Sequence, residues 1–124
     1  EDFSYNENDV MNFFEDKNLD CLVLVNPDNP TGNYISREGM LKLARWTKEK
    51  DIRFLADESF VDFAEETEPT LLVEELLDEN PHMIVVKSIS KSYGTALRCS
   101  CQRRYRPDRT AEKRCCHLEY QFLW

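Results

Sequence analysis

Apolar residues fall at Val10, Met11, Phe13 and Phe14 within DVMNFFEDKN, a cluster with helical spacing that closes near Asn18. DCLVLVNP follows, an apolar and β-branched run with no polar alternation, stopped by Asn26-Pro27. Such a run predicts a strand buried on both faces. SREGMLKLARWTKEKD, Ser36–Asp51, spaces Met40, Leu41, Leu43, Ala44 and Thr47 along one helical face behind a capping Ser36. IRFLADES then predicts a second strand, TLLVEELLDEN a helix closed by Pro81, and MIVVKSIS a third strand. Strands alternating with helices of this length predict right-handed crossovers and a parallel sheet, an α/β fold.

Composition divides the chain at Gly94. The length of 124 residues suits one domain or part of one. The overall charge of -8 hides two opposite pieces: residues 1–94 carry 9 Lys+Arg against 21 Asp+Glu, residues 95–124 carry 7 against 3. The acidic piece would repel phosphates, which argues against a nucleic-acid surface. No apolar run approaches a membrane span, and the first residues lack a signal-peptide pattern. The chain opens on Glu1 rather than Met, as a fragment would. Cys21 stands alone in its apolar run and is expected to be a buried reduced thiol, and the odd total of 5 cysteines favours a reducing, cytoplasmic compartment. His82, ahead of the third strand, is expected in a surface loop.

An open parallel sheet places ligands at the carboxyl ends of its strands. Here the three strands end in NPDNPTG, ADESF and SISKSYG. Taken singly, each has a plain structural reading: turns from Asn-Pro and Thr-Gly, a cap from Asp57, a solvated loop lysine at Lys91. Taken in order and spacing, they resemble the N-P-x-N-P-T-G, D-E-x-(Y/F) and S-x-S-K-x-x-G motifs of fold type I aminotransferases, class I/II, which use pyridoxal 5'-phosphate (PLP). The resemblance covers residues 1–94. Its wording is similar to that of histidinol-phosphate aminotransferase-like proteins, especially the aminotransferase half of bacterial nucleotidyltransferase–aminotransferase fusions.

The resemblance implies a role for each residue. Lys91 would bind the cofactor aldehyde as a Schiff base and then shuttle the substrate α-proton. Asp57 would bond the pyridine nitrogen and keep it protonated, so that the ring draws electrons. Asn29 would donate its amide to the phenolic oxygen, and Ser88 and Ser90 would hold the phosphate. Pro27, Pro30 and Gly32 would shape the turn that presents Asn29. Phe60 stands where many relatives carry a phenolic oxygen-binding Tyr, leaving Asn29 alone in that task. The family's early phosphate loop, its ring-stacking aromatic and its late carboxylate-binding Arg have no counterpart in this chain.

After S-K-x-x-G the family continues roughly as VPGLRLGVLAS, whereas this chain runs TALRCSCQRRYRPD. Three explanations compete. Cys99, Cys101, Cys115, Cys116 and His117 offer zinc-type ligands, but in no common spacing. The tail's Arg and Lys could contact phosphates, yet no nucleic-acid motif accompanies them. The third explanation is a reading-frame change. Codons for residues 95–108 can be chosen that, read one base later, give LRFGVLASGDTDL, and KRCCHLEYQFLW likewise permits KKDVAIWNINSF. Both resemble the family's continuation, in the expected order. We read 1–94 as part of a PLP-dependent large domain and 95–124 as a frame-shifted tail, without a metal site.

The parent is thus expected to be a homodimer that transfers an amino group between an amino acid or amino-alcohol phosphate and a 2-oxo acid, without a nucleic-acid or membrane partner. A decarboxylase or lyase of the threonine-phosphate decarboxylase type, and an inactive truncated product, are the alternatives, because these motifs activate the cofactor without choosing the reaction.

Overall fold

A computed structural model describes residues 3–88. Its elements are α1 (Glu7–Phe14), β1 (Cys21–Val25), α2 (Arg37–Glu49), β2 (Arg53–Asp57), a 3-10 turn (Val61–Phe63), α3 (Glu74–Glu79) and β3 (Met83–Val86). Ser90, Lys91 and residues 95–124, with the roles expected of them, lie outside the described residues.

The three strands form one parallel sheet in the order β1-β2-β3. Register is continuous across it: Val23 pairs with Leu55 and Leu55 with Ile84, while Val25 pairs with Asp57 and Asp57 with Val86. The strand ends that carry the motifs therefore meet at one edge.

Helix α2 forms because Ser36 caps it, accepting from the Gly39 backbone N at 3.2 Å, and because Met40, Leu43, Ala44 and Thr47 line one stripe. That stripe belongs to the same core as the sheet residues Leu22, Leu24, Phe54, Ala56, Met83 and Val85. Thr47 is buried with its hydroxyl satisfied, donating back to the Leu43 carbonyl at 2.8 Å. Helix α1 starts at a capping box: the Asn6 side chain accepts from the Asn8 and Asp9 backbone, and the Asp9 carboxylate accepts from Asn6 N.

The expectation that β1 is buried on both faces is not met. Its residues alternate, with Leu22 and Leu24 buried while Val23 remains 59% exposed. Cys21 shares the open face and is exposed, not a buried thiol. The reason is coverage: α1 and α2 pack with the core on one face, and the face of Cys21, Val23 and Leu55 has too little described chain to bury it.

His82 lies in the turn before β3, as expected, but not at the surface. It is half-buried against α2, with Nε2 2.9 Å from the Ala44 carbonyl and 3.2 Å from the Thr47 hydroxyl. The helix predicted from Thr70 begins only at Glu74. The backbone N of Leu71 donates to the Glu58 carboxylate at 2.6 Å, and Leu71 is fully buried. This anchorage holds the predicted first turn extended.

Candidate active site

The first loop at the carboxyl edge is built around an asparagine. Asn26 is buried, donates from Nδ2 to the Ile35 carbonyl at 2.8 Å, and accepts from Ile35 N at 2.8 Å. One side chain thereby satisfies a backbone pair across the loop, as a strand neighbour would. The backbone N of Asn26 donates to the Asp57 carbonyl at 2.9 Å, which ties the loop's root to the end of β2.

Beyond it, Asp28 N donates to the Asn33 carbonyl at 2.8 Å and Gly32 N to the Asp28 carbonyl at 2.9 Å. The Thr31 hydroxyl bonds the Asp28 carboxylate. Gly32 has φ +74, a left-handed conformation that favours glycine, so its place in the motif has a backbone cause. Both Asn-Pro bonds are cis. The turn leaves Asn29 exposed at its crest, with Pro30 beside it.

The second loop begins at Asp57. It shares a strand face with Leu55, the face opposite the core, and stays partly accessible. Its Oδ1 accepts from Ser59 N at 2.9 Å and from the Ser59 hydroxyl at 2.5 Å. The plain capping reading of Asp57 is thus realised, and it fixes the carboxylate at the edge. Glu58 points the other way and is 2% exposed. Burial pushes its carboxyl above the ordinary range, against the opposing hydrogen bonds from Thr70 and Leu71.

A cleft of about 530 Å³ opens beside these loops, lined by Pro27, Asn29, Pro30, Tyr34, Phe60 and Phe63 among others. Asn29 and Phe60 share this cleft, and Asp57 is not among its lining residues. At its rim the Tyr34 hydroxyl donates to Glu66 at 2.6 Å, and Arg37 N donates to the same oxygen at 2.9 Å. Burial and that bond push the Tyr34 hydroxyl upward, so it stays protonated at any ordinary pH. The two hydrogen bonds hold Glu66 below the usual carboxylate range.

The third strand end brings Lys87 and Ser88. Lys87 Nζ pairs with Asp62 at 2.6 Å, across to the turn that follows β2. Of the residues singled out in the sequence, Asn29, Asp57 and Ser88 thus follow or end adjacent parallel strands, while Ser90 and Lys91 lie outside the described residues. Sequence reasoning did not single out Glu58 or Asn26. The signal for Glu58 was available: alternation along β2 puts positions 54, 56 and 58 on the core face.

Comparison with known proteins identifies the family. The profile of the aminotransferase class I and II family matches residues 2–99. The chain belongs to that family. It is 38% identical over 101 residues to an L-serine phosphate decarboxylase from Sulfurospirillum multivorans, covering 77% of this chain and 25% of the relative. It is 33% identical over 84 residues to a histidinol-phosphate aminotransferase from Aliivibrio fischeri, covering 67% and 23%. Among solved structures, a decarboxylase from Sulfurospirillum multivorans superposes with TM-score 0.59 at 40% identity, over 73% of this chain and 26% of that one. A PLP-bound C-S lyase from Staphylococcus hominis does so with TM-score 0.57 at 25% identity, over 73% and 23%. The chain spans about a quarter of the length of the curated relatives it matches.

Pyridoxal phosphate is the cofactor of this family. The donor set at the edge fits it: a carboxylate that can accept from a ring N–H, an exposed amide that can donate to a phenolic oxygen, and a hydroxyl at the third strand end. Among the described residues no group of His, Cys, Asp and Glu could hold a metal ion. No helix among them is long and apolar enough to cross a membrane.

Proposed function

We propose that this chain supplies the central cofactor-binding part of a PLP-dependent enzyme that transfers an amino group from an amino acid or amino-alcohol phosphate to a 2-oxo acid. The observation that carries the reading is the common edge: Asn29 and Asp57 issue from paired parallel strands, with Asn26 N bonded to the Asp57 carbonyl. Asp57 accepts from the ring nitrogen and keeps it protonated, Asn29 donates to the phenolic oxygen, and Ser88 with Ser90 binds the phosphate. Lys91 holds the cofactor covalently and moves the substrate proton. The bound cofactor supplies the electron sink; these residues orient it and set its protonation.

A second reading is decarboxylation of a phosphorylated amino acid, favoured by the similarity to an L-serine phosphate decarboxylase. The relatives of both kinds are named for phosphate-bearing compounds, which supports an amine carrying a phosphate monoester as the substrate class. The same reading has the parent act as a cytoplasmic homodimer, with residues 1–94 as the native segment.

The test uses a full-length protein carrying this segment, given O-phospho-L-serine or L-histidinol phosphate, with and without 2-oxoglutarate. Amine transfer consumes the oxo acid and releases no carbon dioxide. Carbon dioxide release from O-phospho-L-serine without the oxo acid establishes the second reading instead. Neither product, with bound cofactor confirmed, refutes the proposed substrate class.

A further inference from the structure

Glu58 is the most deeply buried charged residue beside the edge, at 2% exposed, and no role in cofactor chemistry explains it. Both its oxygens are engaged. Oε2 accepts from the Thr70 hydroxyl at 2.5 Å and Oε1 from Leu71 N at 2.6 Å. Its own backbone N donates to the Val86 carbonyl at 2.7 Å, one step past the ladder that pairs Asp57 with Val86.

The chain is therefore pinned immediately after Asp57 on two sides: by β3 through the backbone and by the 70–71 segment through the side chain. That segment is itself fixed, because Leu71 is fully buried and the Thr70 carbonyl accepts from Arg37 Nε at 3.2 Å. Because successive strand residues alternate faces, holding Glu58 on the core side holds Asp57 on the open side. A buried carboxylate without such partners would be strongly destabilising, so the pinned arrangement is the one the chain can adopt.

We propose that Glu58 is a positioning residue for Asp57: its clamp on Thr70 and Leu71 fixes the Asp57 carboxylate at the angle from which it meets the cofactor ring nitrogen. The second half of that statement rests on the proposed function, whereas the first half does not. The clamp works through hydrogen bonds rather than through charge. A Gln at this position keeps an acceptor for Leu71 N, and the Thr70 hydroxyl can turn to accept from the new amide.

The experiment uses a hybrid in which residues 3–88 replace the matching span of the Sulfurospirillum multivorans decarboxylase, so that the sheet keeps the rest of a full-length protein around it. Two readouts are taken: amide hydrogen exchange at Ser59, whose N–H is held by Asp57 Oδ1, against Leu24 as a control; and the ring-nitrogen NMR shift of 15N-labelled PLP bound to the hybrid. Glu58→Ala is expected to speed Ser59 exchange about tenfold relative to Leu24, the scale of one lost buried hydrogen bond. It is also expected to move the 15N shift toward that of Asp57→Asn. Glu58→Gln is expected to stay near the unsubstituted protein in both. If Glu58→Ala does not fold, Thr70→Val removes one arm of the clamp and is expected to give a smaller change of the same kind.

Ser59 and Leu24 speeding up together, or an unmoved Ser59, would overturn the proposal, as would Glu58→Gln behaving like Glu58→Ala. Should the unsubstituted hybrid take up no PLP, the functional reading of the segment fails, and Ser59 exchange still decides whether Glu58 holds Asp57.

Discussion

At His82 the folded chain resists a proton. A carbonyl only accepts, so the 2.9 Å contact with Ala44 O puts the hydrogen on Nε2. Nδ1 is then a buried acceptor without a partner among the described residues, and a second proton would sit there with nothing among them to receive it. Burial lowers the ring's pKa below the ordinary 6.5. The unfolded state therefore binds more protons, and stability falls as pH drops from about 6.5 through the lowered folded value. Glu58 has the opposite sign: its raised pKa means that stability falls as pH climbs above the ordinary 4.5. We expect His82→Gln to flatten the loss of thermal stability between pH 7 and pH 5 in a full-length protein; an unchanged slope would remove His82 as its cause. The role of His82 was not legible in the sequence, because its partners lie 35 and 38 residues away on α2. Asn26 was read only as a turn former, yet it closes the first loop by itself. Asn26→Ala should cost about 1–3 kcal/mol by leaving the Ile35 backbone pair unsatisfied, checked by denaturant unfolding.

The elements themselves were largely legible. Apolar runs rich in β-branched residues marked β1 and β3, the apolar centre of IRFLAD marked β2, and Ser36 with its apolar stripe marked α2, because local propensity, capping and burial agree there. Disagreement arose where a long-range contact won: the Glu58 clamp takes Leu71 out of the helix that TLLVEELL spells. β1 misled for a different reason, since its run suits two covered faces and only one is covered by the described residues. The α2–sheet contact carries the described core, with Leu43 and Phe54 both fully buried. Leu43→Ala should destabilise by about 2–5 kcal/mol, measured as a shift of the denaturant midpoint at constant slope. An effect below about 1 kcal/mol would show that α2 is not packed as described.

For the whole molecule, the open face is the informative feature. Val23 and Cys21 are exposed on a sheet whose relatives are about four times longer than the matched segment. We expect the Cys21 thiol to react readily with a maleimide in the 124-residue chain and to be protected in a full-length protein; equal reactivity would show that nothing further covers this face. An uncovered apolar strand also invites aggregation, so the isolated chain should unfold without cooperativity and bind PLP weakly.

The family was legible from three motifs because each marks a strand end and all three occur in order. The central claim is that these strand ends hold PLP, with Lys91 as its covalent partner. The direct measurement is borohydride reduction of a PLP-loaded full-length protein, followed by mass-spectrometric mapping of the modified lysine. The account predicts one stoichiometric pyridoxyl group on Lys91, lost in Lys91→Ala. A label on Lys87, or one scattered over surface lysines and unaffected by Lys91→Ala, would contradict it.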